Sequence, residues 1–246
     1  MSGSVSPAQA VLLTHRLLLR QLLTRGRIIA LTILGGVVVL AAIGVAANDD
    51  VEDAVTTTIE VIDGLGLVLV VPVVSLVFAS AALGDGREDG TLVYLWLRPM
   101  DRLPIAVGAY LASITISLPL TVAPLVASAA IGGAGSDGIV ATAVASVAGV
   151  LAYSALFVLL GLVVKNSIIW GLAYVLMWEG LFTQFSEAIG QAAIRGYLRA
   201  LLSNLSDVPL GAALDTGTTT ALIVCAVVVI FAIVLAGTRL DSMEID

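Results

Sequence analysis

The sequence predicts an all-α polytopic membrane protein, a single transmembrane domain over residues 1–246, and three observations predict it. Hydrophobic residues make up 59% of the chain and charged residues 12%, against about a quarter charged in soluble domains, and the mean hydropathy is +1.10. Six apolar runs reach the roughly 20 residues a helix needs to cross about 30 Å of hydrocarbon. These runs are continuously apolar rather than alternating in polarity, which excludes a barrel.

The predicted spans are Ile28–Ala47, Leu65–Leu83, Ile105–Ile131, Ile139–Val164, Ile168–Phe185 and Ala221–Gly237. The first follows Arg16, Arg20, Arg25 and Arg27 and is too long for a signal-peptide core, so it reads as an uncleaved span that directs insertion. Ahead of it, 8–27 reads as an amphipathic helix on the inner leaflet, with Gln9, Arg16, Arg20 and Arg27 on one face and Leu12 and Leu23 intruding on it. The third span carries Pro119 and Pro124, each removing a backbone donor, and a kink is expected there. The fourth is dense in small residues, from Ala141 to Ala155, which permits close helix approach. The fifth is marginal in length, with Trp170 as an interfacial anchor.

Basic residues set the orientation. With the N-terminus inside, nine of the eleven Lys and Arg residues fall on the cytoplasmic side and only Arg195 and Arg199 fall outside, so both termini are expected in the cytoplasm. The first outer loop, Asn48–Glu60, has five acids and no base, in agreement. Gly132–Gly138 and Lys165–Ser167 read as tight turns. Two connectors are longer: 84–104 on the cytoplasmic side, and 186–220 on the outer side, where Gln191–Leu202 is too short and too charged to span.

A net charge of −7 and an isoelectric point near 4.5 argue against a nucleic-acid partner, since no basic surface exists to neutralise phosphates. The single cysteine, Cys225, can form no intrachain disulfide, and no metal-ligand spacing is present. The only histidine, His15, precedes every span, and no two acids share a span interior, so an intramembrane protease or phosphatase lacks its base or its acid pair. The chain is therefore not expected to be an enzyme.

The connector 84–104 concentrates seven charges between two spans. Asp85 is placed to cap a short helix with Glu88 three residues on, Pro99 to stop it, and Asp101 and Pro104 to start the third span. Leu92, Leu95 and Trp96 share a face of that helix, which suits docking into a groove of another protein.

Glu88-x-Gly90-Thr91-Leu92, followed by Arg98-Pro99-x-x-Arg102, resembles the intracellular loop of ABC-2 type transporter permeases. The six-span layout, the preceding amphipathic helix, the long outer connector and Tyr174-x-x-x-Trp178-Glu179-Gly180 resemble that family as well. One departure is Asp101, where small polar residues are usual. The resemblance implies a permease subunit of an ATP-driven exporter in a prokaryotic cytoplasmic membrane. It would be paired with a second copy or a homologue and driven by separate ATPase subunits that hold ATP and magnesium. Arg87, Glu88, Gly90, Thr91, Leu92, Leu95, Trp96, Arg98, Pro99 and Arg102 would then couple to the ATPase. The chain itself binds no cofactor on this reading: it has no Gly-x-x-x-x-Gly-Lys-Ser/Thr loop, and its one lysine is Lys165.

Glu179 reads as the only acid deep within a span, about 16 Å in from Ile168. A carboxylate at that depth needs a cavity, a partner or a proton. With Trp178, Gln184, Arg195 and Arg199 it forms the candidate translocation path or outer gate; hydrogen bonding that fixes helix packing is the structural alternative. A nucleotide-independent channel or an assembly scaffold is the competing class, but it would lack a recognisable filter.

Overall fold

The computed structural model describes residues 6–48, 53–90, 101–181, 191, 193–211 and 213–242. Its order is α1 (Pro7–Leu22), α2 (Arg25–Ala46), α3 (Ala54–Val61), a π-helical stretch (Ile62–Val70), α4 (Val71–Glu88), α5 (Arg102–Ile131), α6 (Gly135–Val163), α7 (Ser167–Ala173), a second π stretch (Tyr174–Leu181), α8 (Ile194–Ser206) and α9 (Thr218–Ser242). Among the described residues there is no strand. Among the described residues, five helices are long and apolar enough to cross a membrane: α2, the continuous rod Ala54–Glu88, α5, α6 and α9; within the expected fifth span the apolar helix Ser167–Glu179 is shorter. This is the architecture of a helical, multi-pass membrane protein.

The central pair is α4 and α6, and glycine lets their backbones touch. A Cβ on Gly161 would lie 2.5 Å from the Ser80 carbonyl oxygen, and one on Gly84 would meet the Gly161 Cα at 3.4 Å. The remaining helices use the same device. Gly35 of α2 faces Pro124 of α5, Gly108 of α5 faces Thr14 of α1, and Gly237 of α9 faces Leu103. Small residues at such crossings let dispersion contacts replace the hydrophobic drive that lipid removes.

Two ends of the bundle follow. A near end collects Arg27, Asp85, Glu88 and Asn166: Arg27 Nη2 pairs with Asp85 Oδ2 at 2.9 Å, and the Asn166 N–H donates to Glu88 Oε1 at 2.8 Å. A far end collects the start of α3 and the α5–α6 turn, where Gly132 leaves room for Thr58. Gly133 and Gly135 take positive φ there, at 73° and 67°. α5 runs unbroken through both prolines.

Several expectations are corrected. The second span does not start at Leu65. Asp53 caps a helix already under way at Ala54, so residues 54–60 of the stretch read as outer loop are helical and continuous with the span. Asp85 does not open a separate helix either. It lies in the last turn of α4, which ends at Glu88 because Gly90 turns the chain with φ 67°. Arg27 does not belong to α1, which stops at Leu22; it sits on α2 and pairs with Asp85. α1 has its own capping box, in which the Gln9 N–H donates to Ser6 Oγ and the Ser6 N–H donates to Gln9 Oε1. It buries Ala10, Thr14, Leu18 and Leu22, one residue every turn, while Leu12, Leu13 and Leu17 stay exposed.

Replacing Gly161 with Val should push α4 from α6 and cost on the order of 1–3 kcal/mol, lowering the thermal unfolding midpoint in detergent; Gly36→Ala, where a Cβ meets nothing within 4 Å, should leave it unchanged. The Asp53 carboxyl is held below the usual carboxylate range by the Thr56 hydroxyl first and the Thr56 N–H second. Its cap is therefore present above the unfolded carboxylate pKa and is lost as pH falls through the lower, folded value. Amide exchange at Ala54–Thr57 should speed up over that acid window.

Candidate functional site

The site is built around α8, whose sequence is amphipathic in a particular way. Ile194, Leu198, Leu201 and Leu202 are buried at i, i+4, i+7 and i+8, one apolar face of a helix. That face packs on α6: a Cβ at Gly149 would lie 2.8 Å from Leu198 and 2.7 Å from Val71. Gly149 is halfway along α6, so α8 does not lie on the far surface. It enters the bundle to mid-depth, and it brings Arg195 and Arg199 with it.

Two arginines in an apolar layer require counter-charges, and the fold supplies two. Asp63 meets Arg199 in a forked pair: Nε donates to Oδ1 and Oδ2 at 3.0 Å each, and Nη2 also donates to Oδ2. Arg195 Nη2 approaches the same Oδ2 at 4.0 Å. The side chains of Asp63, Arg195 and Arg199 are 9, 13 and 15% exposed. The Arg199 Nη1 donates to the Gly211 carbonyl at 2.9 Å, which ties the segment after α8 to the same centre.

Glu179 serves the helix end. Oε1 accepts from the Ile194 N–H at 3.2 Å and Oε2 from the Arg195 N–H at 3.0 Å. Oε1 also accepts from the Tyr174 hydroxyl at 2.7 Å. Ala193, the residue before α8, makes no side-chain cap, so a carboxylate from another helix takes the place of the missing Ser or Asp. Its negative charge complements the positive end of the helix dipole. The Arg195 Nη1 returns a bond to the Glu179 carbonyl at 3.2 Å. Behind the carboxylate, Tyr153 stacks on Phe157 with centroids 5.8 Å apart, and Phe157 meets Tyr174 edge-on at 6.4 Å.

Both acids sit on π-helical stretches, Asp63 on Ile62–Val70 and Glu179 on Tyr174–Leu181. A π turn widens the helix and shifts the direction of the side chains that follow, and such turns recur at functional positions. Here the two wide turns aim their acids at the same 13-residue helix.

The structure thus brings Glu179, Arg195 and Arg199 together, as the sequence groups them, and adds Asp63. Asp63 is a second buried acid, inside the long helical rod Ala54–Glu88 and just ahead of the expected span start at Leu65. Trp178 is partly exposed, and Gln184 lies outside the described residues. At the near end, Glu88 fastens the end of α4 to the turn between α6 and α7, where Asn166 takes a left-handed conformation at φ 54°. Arg87 precedes Glu88 in the last turn of α4, Gly90 follows it, and Arg102 opens α5. Thr91, Leu92, Leu95, Trp96, Arg98 and Pro99 lie outside the described residues. Among the described residues, no cluster of three or more His, Cys, Asp or Glu could hold a metal.

No protein-family model matches the chain, and no curated protein matches it.

Removing one partner of the central pair leaves the other charged and buried. Arg199→Ala should destabilise the protein by about 3–5 kcal/mol, read as a fall in the thermal unfolding midpoint. The double variant Asp63→Leu/Arg199→Met should recover most of that loss, because no charge is then stranded.

Proposed function

We propose that this chain is the membrane subunit of an ATP-driven exporter of the ABC-2 type, fuelled by a separate ATPase and paired with a second copy or a homologous permease. On this reading the near end faces the cytoplasm. The connector that follows Glu88 receives the ATPase, and the segment Ser167–Leu181 begins the fifth of six crossings. α8 with its carboxylate anchors is the gate at the far side of a prokaryotic cytoplasmic membrane. The ATP and magnesium belong to the partner, and no catalytic residue is assigned here.

One observation supports this reading above the others. The rod Ala54–Glu88 is helical throughout, with Asp63 toward one end and Glu88 at the other. Glu88 also holds the N–H of Asn166, the residue that precedes α7, whose π continuation carries Glu179. The two helical segments joined at Glu88 are thus the two that bear the acids gripping α8. Push applied to the connector would tilt both segments and change the separation of Asp63 from Glu179. Arg195 and Arg199 can tolerate such a change only by moving α8.

The test is export by the complete complex. Glu88→Ala, which loses the bond to Asn166, should lower transport at least tenfold while membrane insertion and ATPase binding persist, and Gly90→Pro should do the same by straining the turn. Unchanged export in both variants would remove the coupling role. If no Walker-motif ATPase copurifies with the wild-type chain, the channel or scaffold reading takes its place.

A further inference from the structure

A cleft of about 520 Å³ runs between α2 and α5, lined by Thr32, Gly36, Leu40, Pro119, Ala123 and Pro124. Its walls are almost wholly apolar. It stays open because Gly36 contributes no side chain, and a Cβ there would meet nothing within 4 Å. What distinguishes it from an ordinary dent in a lipid-facing surface is its near end. On α2, Arg25 lies seven residues before Thr32 and eleven before Gly36, on the same helical face. Arg25 is exposed and makes no ion pair with any described acid. On α5, Thr115 lies one turn before Pro119 and two before Ala123, and its hydroxyl meets His15 Nε2 of α1 at 3.2 Å. Arg16 follows His15, and Arg20 lies one turn further on.

The cleft therefore points toward the place where α1 passes into α2, which Arg20 and Arg25 flank, with Arg16 one turn back on α1. Neither helix contains an acid, in a chain whose net charge is −7. Leu12, Leu13 and Leu17 are exposed beside these arginines. Long cationic side chains flanked by exposed leucines suit the boundary between hydrocarbon and headgroups, where each basic residue near an anionic surface adds attraction.

We propose that this cleft binds one anionic phospholipid, with an acyl chain lying along Gly36 and Pro119 and the phosphate held at Arg25 and at Arg16, beside His15 in the middle of α1. The occupant follows from the shape and the charge together: an apolar trough with arginines toward its near end that pair with no acid among the described residues. A zwitterionic lipid would fill the trough equally well but would gain little at the arginines. The site stands apart from α8 and its carboxylates and does not depend on the export reading.

The experiment uses the full chain, purified in detergent with equimolar phosphatidylglycerol and phosphatidylcholine, and native mass spectrometry to count retained lipid. The wild type should keep one phosphatidylglycerol in preference to phosphatidylcholine. Arg16→Gln/Arg25→Gln should lower phosphatidylglycerol retention roughly fivefold for each arginine removed, bringing it to the phosphatidylcholine level. Gly36→Phe, or Ala123→Phe should the first variant misfold, should reduce both lipids alike by filling the trough. Equal retention of the two lipids by the wild type overturns the proposal. So does retention that survives both cleft-filling variants, or cleft-dependent retention that ignores the loss of the arginines.

Discussion

The structure turns on the arrest of a short cationic helix inside an apolar bundle. A charged side chain at the centre of a bilayer costs on the order of 3 kcal/mol even by lenient measures, and α8 carries two. Asp63 neutralises Arg199 in a forked contact, the geometry for which guanidinium and carboxylate are matched. Glu179 meets the other demand, the free N–H groups at the start of α8. The four charges sum to zero, and each carboxylate has two or more donors. A half-complete set would strand a buried charge, so the network forms as a unit.

Several other polar groups in the interior make no such demand. The hydroxyls of Ser80, Thr142 and Ser146 donate to carbonyls four residues back in their own helices, and Ser128 does the same beside Pro124. These groups are satisfied locally and impose no register between helices. Interhelical register is left to glycine contacts in the body of the bundle and to the ionic cluster toward the far end. The first kind resists compression, and the second resists separation.

The layout also separates chemistry by end. The near end holds a half-buried, partly solvated pair, Arg27–Asp85, whose side chains are 28 and 34% exposed. A pair so open to water and salt contributes little stability and can be exchanged for another partner. The far cluster is buried, and its exchange would need a movement of whole helices. In the export reading this is the required asymmetry, with a yielding end that receives a partner and a stiff end that opens only when helices shift.

Much of this could be read from the sequence. Apolar runs and their lengths fixed four of the spans to within a few residues, since the cost of unpaired backbone in lipid leaves helix as the solution for such runs. Depth and charge singled out Glu179, and an uncommon pair of arginines singled out α8. What the sequence held but did not reveal was Asp63. The acids of Asn48–Glu60 pulled the boundary of the rod toward Leu65, although two arginines buried beside one acid left a positive charge to be matched. Only tertiary structure decided that α8 enters the bundle to the level of Gly149, that two π turns aim their acids at it, and that Glu88 ends one helix and caps the turn before another. Those facts depend on contacts between residues 15 to 136 positions apart. Hydropathy and periodicity are local quantities, whereas pairing across a bundle is set by which helices pack together.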